Sequence, residues 1–137
     1  MQYFRIKDIY YSIKSSEVFI KKKADTYCVM FRVCGVTDNI SVSRELREAY
    51  VYLDKYIDTG MKSIAELEGY IMRPSRPNAG TLCVLEHEYI RNSKITIVDV
   101  NDDKITIHWK GHADIFWDEK YGENVPFDME FVTKYVS

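Results

Sequence analysis

Residues 94–110 read KITIVDVNDDKITIHWK, and the fold turns on them. Two runs rich in β-branched residues flank Asn101-Asp102-Asp103. Asn and Asp accept the left-handed backbone of a tight hairpin turn, so the three residues predict a chain reversal. In the second run Ile105, Ile107 and Trp109 alternate with Lys104, Thr106, His108 and Lys110. A period of two puts the first set on one face of a strand and the second on the other, so this hairpin lies half-buried on a core.

On the C-terminal side, HADIFWD (112–118) and PFDMEFVTKYV (126–136) read as further strands joined by an acidic loop. Phe127, Met129 and Phe131 oppose Asp128 and Glu130, again with period two. Pro126 has no N–H to give a ladder, which suits a strand start or an edge. On the N-terminal side, TLCVLEHEYI (81–90) is a strand. Within residues 2–13, Phe4 and Ile6 run in one phase and Ile9, Tyr11 and Ile13 in the other, which predicts a bulge or break near Lys7-Asp8. EVFIKKK (17–23) and TYCVMFRVCGV (26–36) add two strands, with KADT turning between them. The second is apolar on both faces in places and belongs in the middle of a sheet.

The middle of the chain carries helical signals. Ser43 suits an N-cap, Glu45 sits in the first turn, and Leu46, Ala49, Tyr50, Leu53 and Ile57 recur at three- to four-residue spacing. This predicts a helix over 44–58, with Gly60 closing it in a left-handed cap. Ser63-Ile64-Ala65-Glu66 has the capping-box pattern, and Ile64, Leu67 and Ile71 follow, giving a shorter helix over 64–72 that ends before Pro74. Gly69 weakens it. RPSRPNAG (73–80) then connects to the C-terminal strands. The expected fold is α+β and mostly β: a curved antiparallel sheet of about seven strands, a sandwich or partly open barrel, with two short helices packed on it. Residues 1–137 form a single domain in this reading.

Composition narrows the function classes. Acidic side chains (21) slightly outnumber basic ones (19), so the net charge is -2. Non-specific nucleic-acid binders need a basic excess, and a nucleic-acid partner is not expected. Lys21-Lys22-Lys23 is the only basic run and reads as a solvated strand end. No apolar run approaches a membrane span of about 18 residues, and MQYFRIKDIYYSIK lacks the apolar core of a signal peptide, so a cytoplasmic location without membrane association is expected. Cys28, Cys34 and Cys83 form no CxxC pair and sit in apolar surroundings, which predicts reduced, buried thiols. A Cys28–Cys34 bridge would need a sharp bend in the strand between them. The 11 Tyr are many for this length. Tyr combines apolar area with a polar tip and favours protein interfaces.

Three groups could carry chemistry. His108 and His112 are four apart, a zinc-binding spacing on a helix. On a strand it spans roughly 13 Å, too far to share a metal unless Lys110-Gly111 turns, in which case Asp114 could join them. Trp117, Asp118, Glu119, Tyr121 and Glu123 form an aromatic-flanked acidic loop without calcium-loop spacing; solvated turn carboxylates are the default reading, and recognition of a basic protein partner is the function such a loop suits. His87, between two Glu, alternates with Cys83 and Leu85 and is expected to face inward as a hydrogen-bonded structural His. Phosphate-loop, GxSxG and HExxH motifs are absent. The leading expectation is a small non-catalytic protein-binding module of immunity or inhibitor type, or an assembly subunit, without cofactor or metal. The alternative is a small-ligand binder or enzyme with a site near His108, His112 and Asp114.

Overall fold

The computed structural model describes residues 2–75, 78–115 and 122–137. Its strands are β1 Tyr3–Ile6, β2 Ile9–Lys23, β3 Thr26–Val36, β4 Glu48–Tyr52, β5 Ile57–Asp58, β6 Ile71–Met72, β7 Thr81–Val84, β8 Glu86–Tyr89, β9 Arg91–Asn101, β10 Lys104–Ile115 and β11 Gly122–Val136. They form one open sheet in the order β6-β9-β10-β11-β1-β2-β3-β4-β7-β8, with β5 added beside β3. All pairings are antiparallel except a short parallel one between the end of β11 and the middle of β2.

The turns arise where the sequence pattern places them. Lys7 (φ 57°), Ala24 (φ 55°) and Asp102 (φ 56°) adopt the left-handed backbone that reverses β1 into β2, β2 into β3 and β9 into β10. The phase change after Ile6 is thus a hairpin turn between two strands. The predicted strand over 81–90 is also two strands: Leu85, at φ 73°, folds β8 back against β7. Conversely, KITIHWK and the described part of HADIFWD, residues 112–115, are not separate. β10 runs unbroken through Gly111 to Ile115 and pairs with β11 along most of its length.

Neither predicted helix forms. Over 44–58 the chain makes one 3-10 turn at Arg44–Leu46 and then strands β4 and β5. Ser43 makes no side-chain cap. The apolar residues of this segment satisfy two periods at once: Ala49, Val51 and Leu53 are buried while Glu48 and Tyr50 are exposed, a strand alternation hidden inside the helical spacing. Aromatic and β-branched residues in EAYVY favour the strand, and pairing on both sides, with β3 and β7, decides it. Over 64–72, the capping-box groups do engage: Ser63 Oγ accepts from the Glu66 N–H at 3.2 Å, and Glu66 accepts from the Lys62 N–H at 2.9 Å. Only one 3-10 turn follows, at Ala65–Leu67. Gly69 (φ 82°) then diverts the chain, and its N–H bonds to the Ile97 carbonyl as β6 joins β9. Gly60 is left-handed as expected (φ 73°), but in a turn after β5 rather than at a helix end.

The sheet folds back on itself. Phe31 on β3 meets Trp109 on β10 edge-on, with ring centres 5.5 Å apart, although three strands lie between them in the order. Ile90 alone separates β8, at one end of the sheet, from β9 near the other, and its N–H bonds to the Gly80 carbonyl at 3.0 Å. The inward faces of both halves therefore share one core, built on Phe4, Phe31, Trp109, Phe127 and Phe131. Trp109 also satisfies its indole N–H inside that core, donating to the buried Ser93 Oγ at 2.9 Å.

Candidate functional site

The outward side chains make two concave surfaces, one on each half of the folded sheet. Cross-strand register builds both, because residues directly opposite one another on an antiparallel ladder stand side by side.

The first surface spans β3, β4, β7 and β8. Register aligns Ser15, Cys34, Tyr50, Cys83 and His87 in one row across five strands, and Glu17, Arg32, Tyr52, Thr81 and Tyr89 in the next. All of them but Thr81 and Tyr89 line a cleft of about 730 Å³. His87 does not face inward. It is exposed, on the same face as its cross-strand partner Cys83, because Leu82 and Val84 take the inward face of β7, and its Nδ1 lies 2.8 Å from the Tyr52 hydroxyl. Tyr50 donates to Glu48, which holds its phenol well above the usual range. Burial pushes the Cys34 and Cys83 thiols up, so both stay protonated at neutral pH and are poor nucleophiles. All three cysteines are free. Cys28 and Cys34 lie on the same straight strand, roughly 20 Å apart, which rules out a bridge between them.

The second surface lies over β9, β10, β11 and β1, walled by the connection after β6. Its cleft measures about 870 Å³. Asp128 sits on its floor and gathers three neighbours: the Tyr3 hydroxyl and His108 Nε2, each 2.8 Å from Oδ1, and Arg5, 3.8 Å from Oδ2. Burial and the bond to Asp128 push the Tyr3 phenol up to about 12. His112 faces the same side, with Nδ1 3.5 Å from the Asn92 amide. Asp114, two residues on, grips the Arg91 guanidinium through both oxygens at 2.8 Å and accepts the Asn124 N–H at 2.8 Å. These bonds, the Arg91 pair first, lower its pKa to about 2.

The sequence-predicted residues therefore do not converge. His108, His112 and Asp114 share the outer face of β10, but each is taken up by a different partner: Asp128, Asn92 and Arg91. No turn at Lys110-Gly111 brings the histidines together. Gly111 is small for packing: a Cβ there would lie 2.7 Å from Ile90 Cγ2. Among the described residues no group of three or more His, Cys, Asp or Glu could hold a metal ion. Of the acidic loop, Trp117, Asp118, Glu119 and Tyr121 lie outside the described residues. Glu123 is exposed near the start of β11. The Lys21–Lys23 run is exposed at the end of β2, with Lys21 Nζ 4.1 Å from the Tyr56 ring centre. The Tyr3, Arg5 and Asp128 group, and the tyrosine rows, were not legible from single-strand patterns because each depends on register.

The Arg91–Asp114 pair makes an acid-stability prediction. The folded pKa of Asp114 is depressed, so its contribution is complete above the unfolded value near 4 and is lost as pH falls from about 4 to about 2. Asp114→Asn should flatten the acid limb of stability in that window only. Urea titrations at several pH values check this; an unchanged slope below about pH 4 would mean that the pair contributes nothing to folding.

Comparison with protein-family models, curated protein sequences and solved structures gives no match.

Proposed function

We propose that the chain is a non-catalytic protein-binding module, of inhibitor or immunity type, that docks a basic partner on the tyrosine-lined face of β3, β4, β7 and β8. The observation that carries this reading is the cleft in which Tyr50 and Tyr52 stand beside an excess of carboxylate. Tyr50 and Tyr89 are about half exposed, at 42% and 48%. Tyr at a concave surface offers contact area with little rotamer entropy to lose, which suits a binding hot spot. Arg32 and Lys14 pair with Glu17 and Glu48 at 3.6 and 3.9 Å, while Asp54 and Glu86 have no cationic partner among the described residues. The residual charge is negative, and complementarity favours a positive patch opposite.

A partly open barrel is the frame we assign, supported by the single-residue link at Ile90 between the two ends of the sheet. Three free thiols suit a reducing, cytoplasmic setting.

Photo-crosslinking in the native cell tests the proposal, with the reactive group placed at Tyr50 and, as a control on the other half of the sheet, at Val132. A discrete adduct with a basic protein is expected from Tyr50 only, and it should weaken in Asp54→Asn/Glu86→Gln. Adducts from Val132 alone, or from neither position, would remove the assignment.

A further inference from the structure

We propose that the second cleft, over β9, β10, β11 and β1, binds a small organic oxyanion of the phosphate-monoester class. This does not depend on the protein-binding reading, which concerns the opposite half of the sheet. Register places Lys94 on β9 directly opposite Lys110 on β10. Like charges in that position repel, and neither lysine has an ion-pair partner among the described residues. The other cross-strand neighbour of Lys110 is Asp128. Its carboxylate is already engaged by Tyr3, His108 and Arg5. Arg73 lines the same cleft from the connection after β6, also without an ion-pair partner among the described residues. Arg91, by contrast, is neutralised by Asp114.

Three uncompensated cations thus converge on one concavity in a chain whose net charge is -2. A doubly charged oxyanion would relieve the Lys94–Lys110 repulsion by accepting from both ammonium groups, with the Arg73 fork available to a second pair of oxygens. The cleft, at about 870 Å³, is far larger than a bare ion needs. Pro74, Pro126 and Ile90 supply apolar lining for an organic body. The chemistry recognised is therefore an oxyanion attached to a compact, partly apolar molecule.

Calorimetric titration of the full chain tests this, with phenyl phosphate as probe, phenol as its uncharged counterpart, inorganic phosphate as the bare ion and a single-stranded oligonucleotide as the polymeric alternative. Phenyl phosphate should bind saturably at one site, more tightly than inorganic phosphate, and phenol should not bind. Lys94→Gln/Lys110→Gln should weaken phenyl phosphate by about tenfold or more, the scale of a charge-assisted hydrogen bond. The ligand-free melting temperature of that variant should hold or rise, since a repulsion is removed. Arg73→Gln, on an exposed connection, gives a second reading if the strand variant fails to fold. The proposal is overturned if phenyl phosphate does not bind, if it binds no better than phenol, if neither variant weakens it, or if the oligonucleotide is preferred.

Discussion

Trp109→Ala should lower the free energy of unfolding by roughly 3–5 kcal/mol, the range for deleting a large buried aromatic side chain. Trp109 is fully buried. It touches both halves of the folded sheet, lying edge-on to Phe31 at 5.5 Å and to Phe127 at 6.0 Å. Its removal would open a void exactly where β3 and β10 meet, and the ladders on either side limit how far they can collapse into it. Ser93→Ala isolates the polar part: it leaves the indole N–H unpaired in the core, at a cost of about 1–3 kcal/mol. Urea denaturation of both variants is the measurement. A loss below about 1.5 kcal/mol for Trp109→Ala would mean that the two halves do not depend on this contact.

Gly80→Ala should cost roughly 2–5 kcal/mol through two separate effects. The backbone at Gly80 has φ +101°, a region that residues with a Cβ seldom adopt. A Cβ there would also lie 2.7 Å from Trp109 Cζ2 and 3.1 Å from the Tyr52 carbonyl oxygen, and neither the buried ring nor the backbone can swing away. Any backbone shift would strain the Ile90 N–H bond to Gly80, which anchors the link between the ends of the sheet. Gly60→Ala is the control: at φ +73° it carries conformational strain, but nothing lies within 4 Å of its Cβ. It should cost only about 1–2 kcal/mol. Equal losses in the two variants would show that the contact with Trp109 is absorbed without cost.

The β10–β11 half of the molecule was legible residue by residue. Ile105, Ile107 and Trp109, and Phe127, Met129 and Phe131, are buried as their alternation requires, and the hairpin turns at Ala24 and Asp102 fall within the segments predicted to turn. The middle was misread because Leu46, Ala49, Leu53 and Ile57 fit a period of 3.6 as well as Ala49, Val51 and Leu53 fit a period of two. Local pattern cannot separate the two when the segment is short. The candidate sites were less legible still. His87 was assigned the wrong face because Thr81-Leu82-Cys83-Val84 is apolar on both sides, and it is Leu82 and Val84 that take the core while Cys83 and its partner His87 face outward. The basic cleft was missed because Lys94 and Lys110 are sixteen positions apart and meet only through register.

That register hangs on a single extra residue. The ladder between β9 and β10 slips between Thr106 and Ile107, where Ile107 pairs with Ile97 after Thr106 has paired with Asp99. Without the slip, Lys110 would face Ile95 and the two lysines would not be partners. The sequence itself determined the β-rich class, the core faces of the long strands and the hairpin turns, because alternation and turn chemistry act over a few neighbouring residues. The tertiary structure alone decided that 48–52 is a strand, that the sheet folds so that Phe31 meets Trp109, and that scattered Tyr, Cys, His and Lys residues gather into two clefts. These depend on hydrogen bonds between distant segments, and a one-residue change in pairing moves a side chain to the opposite face.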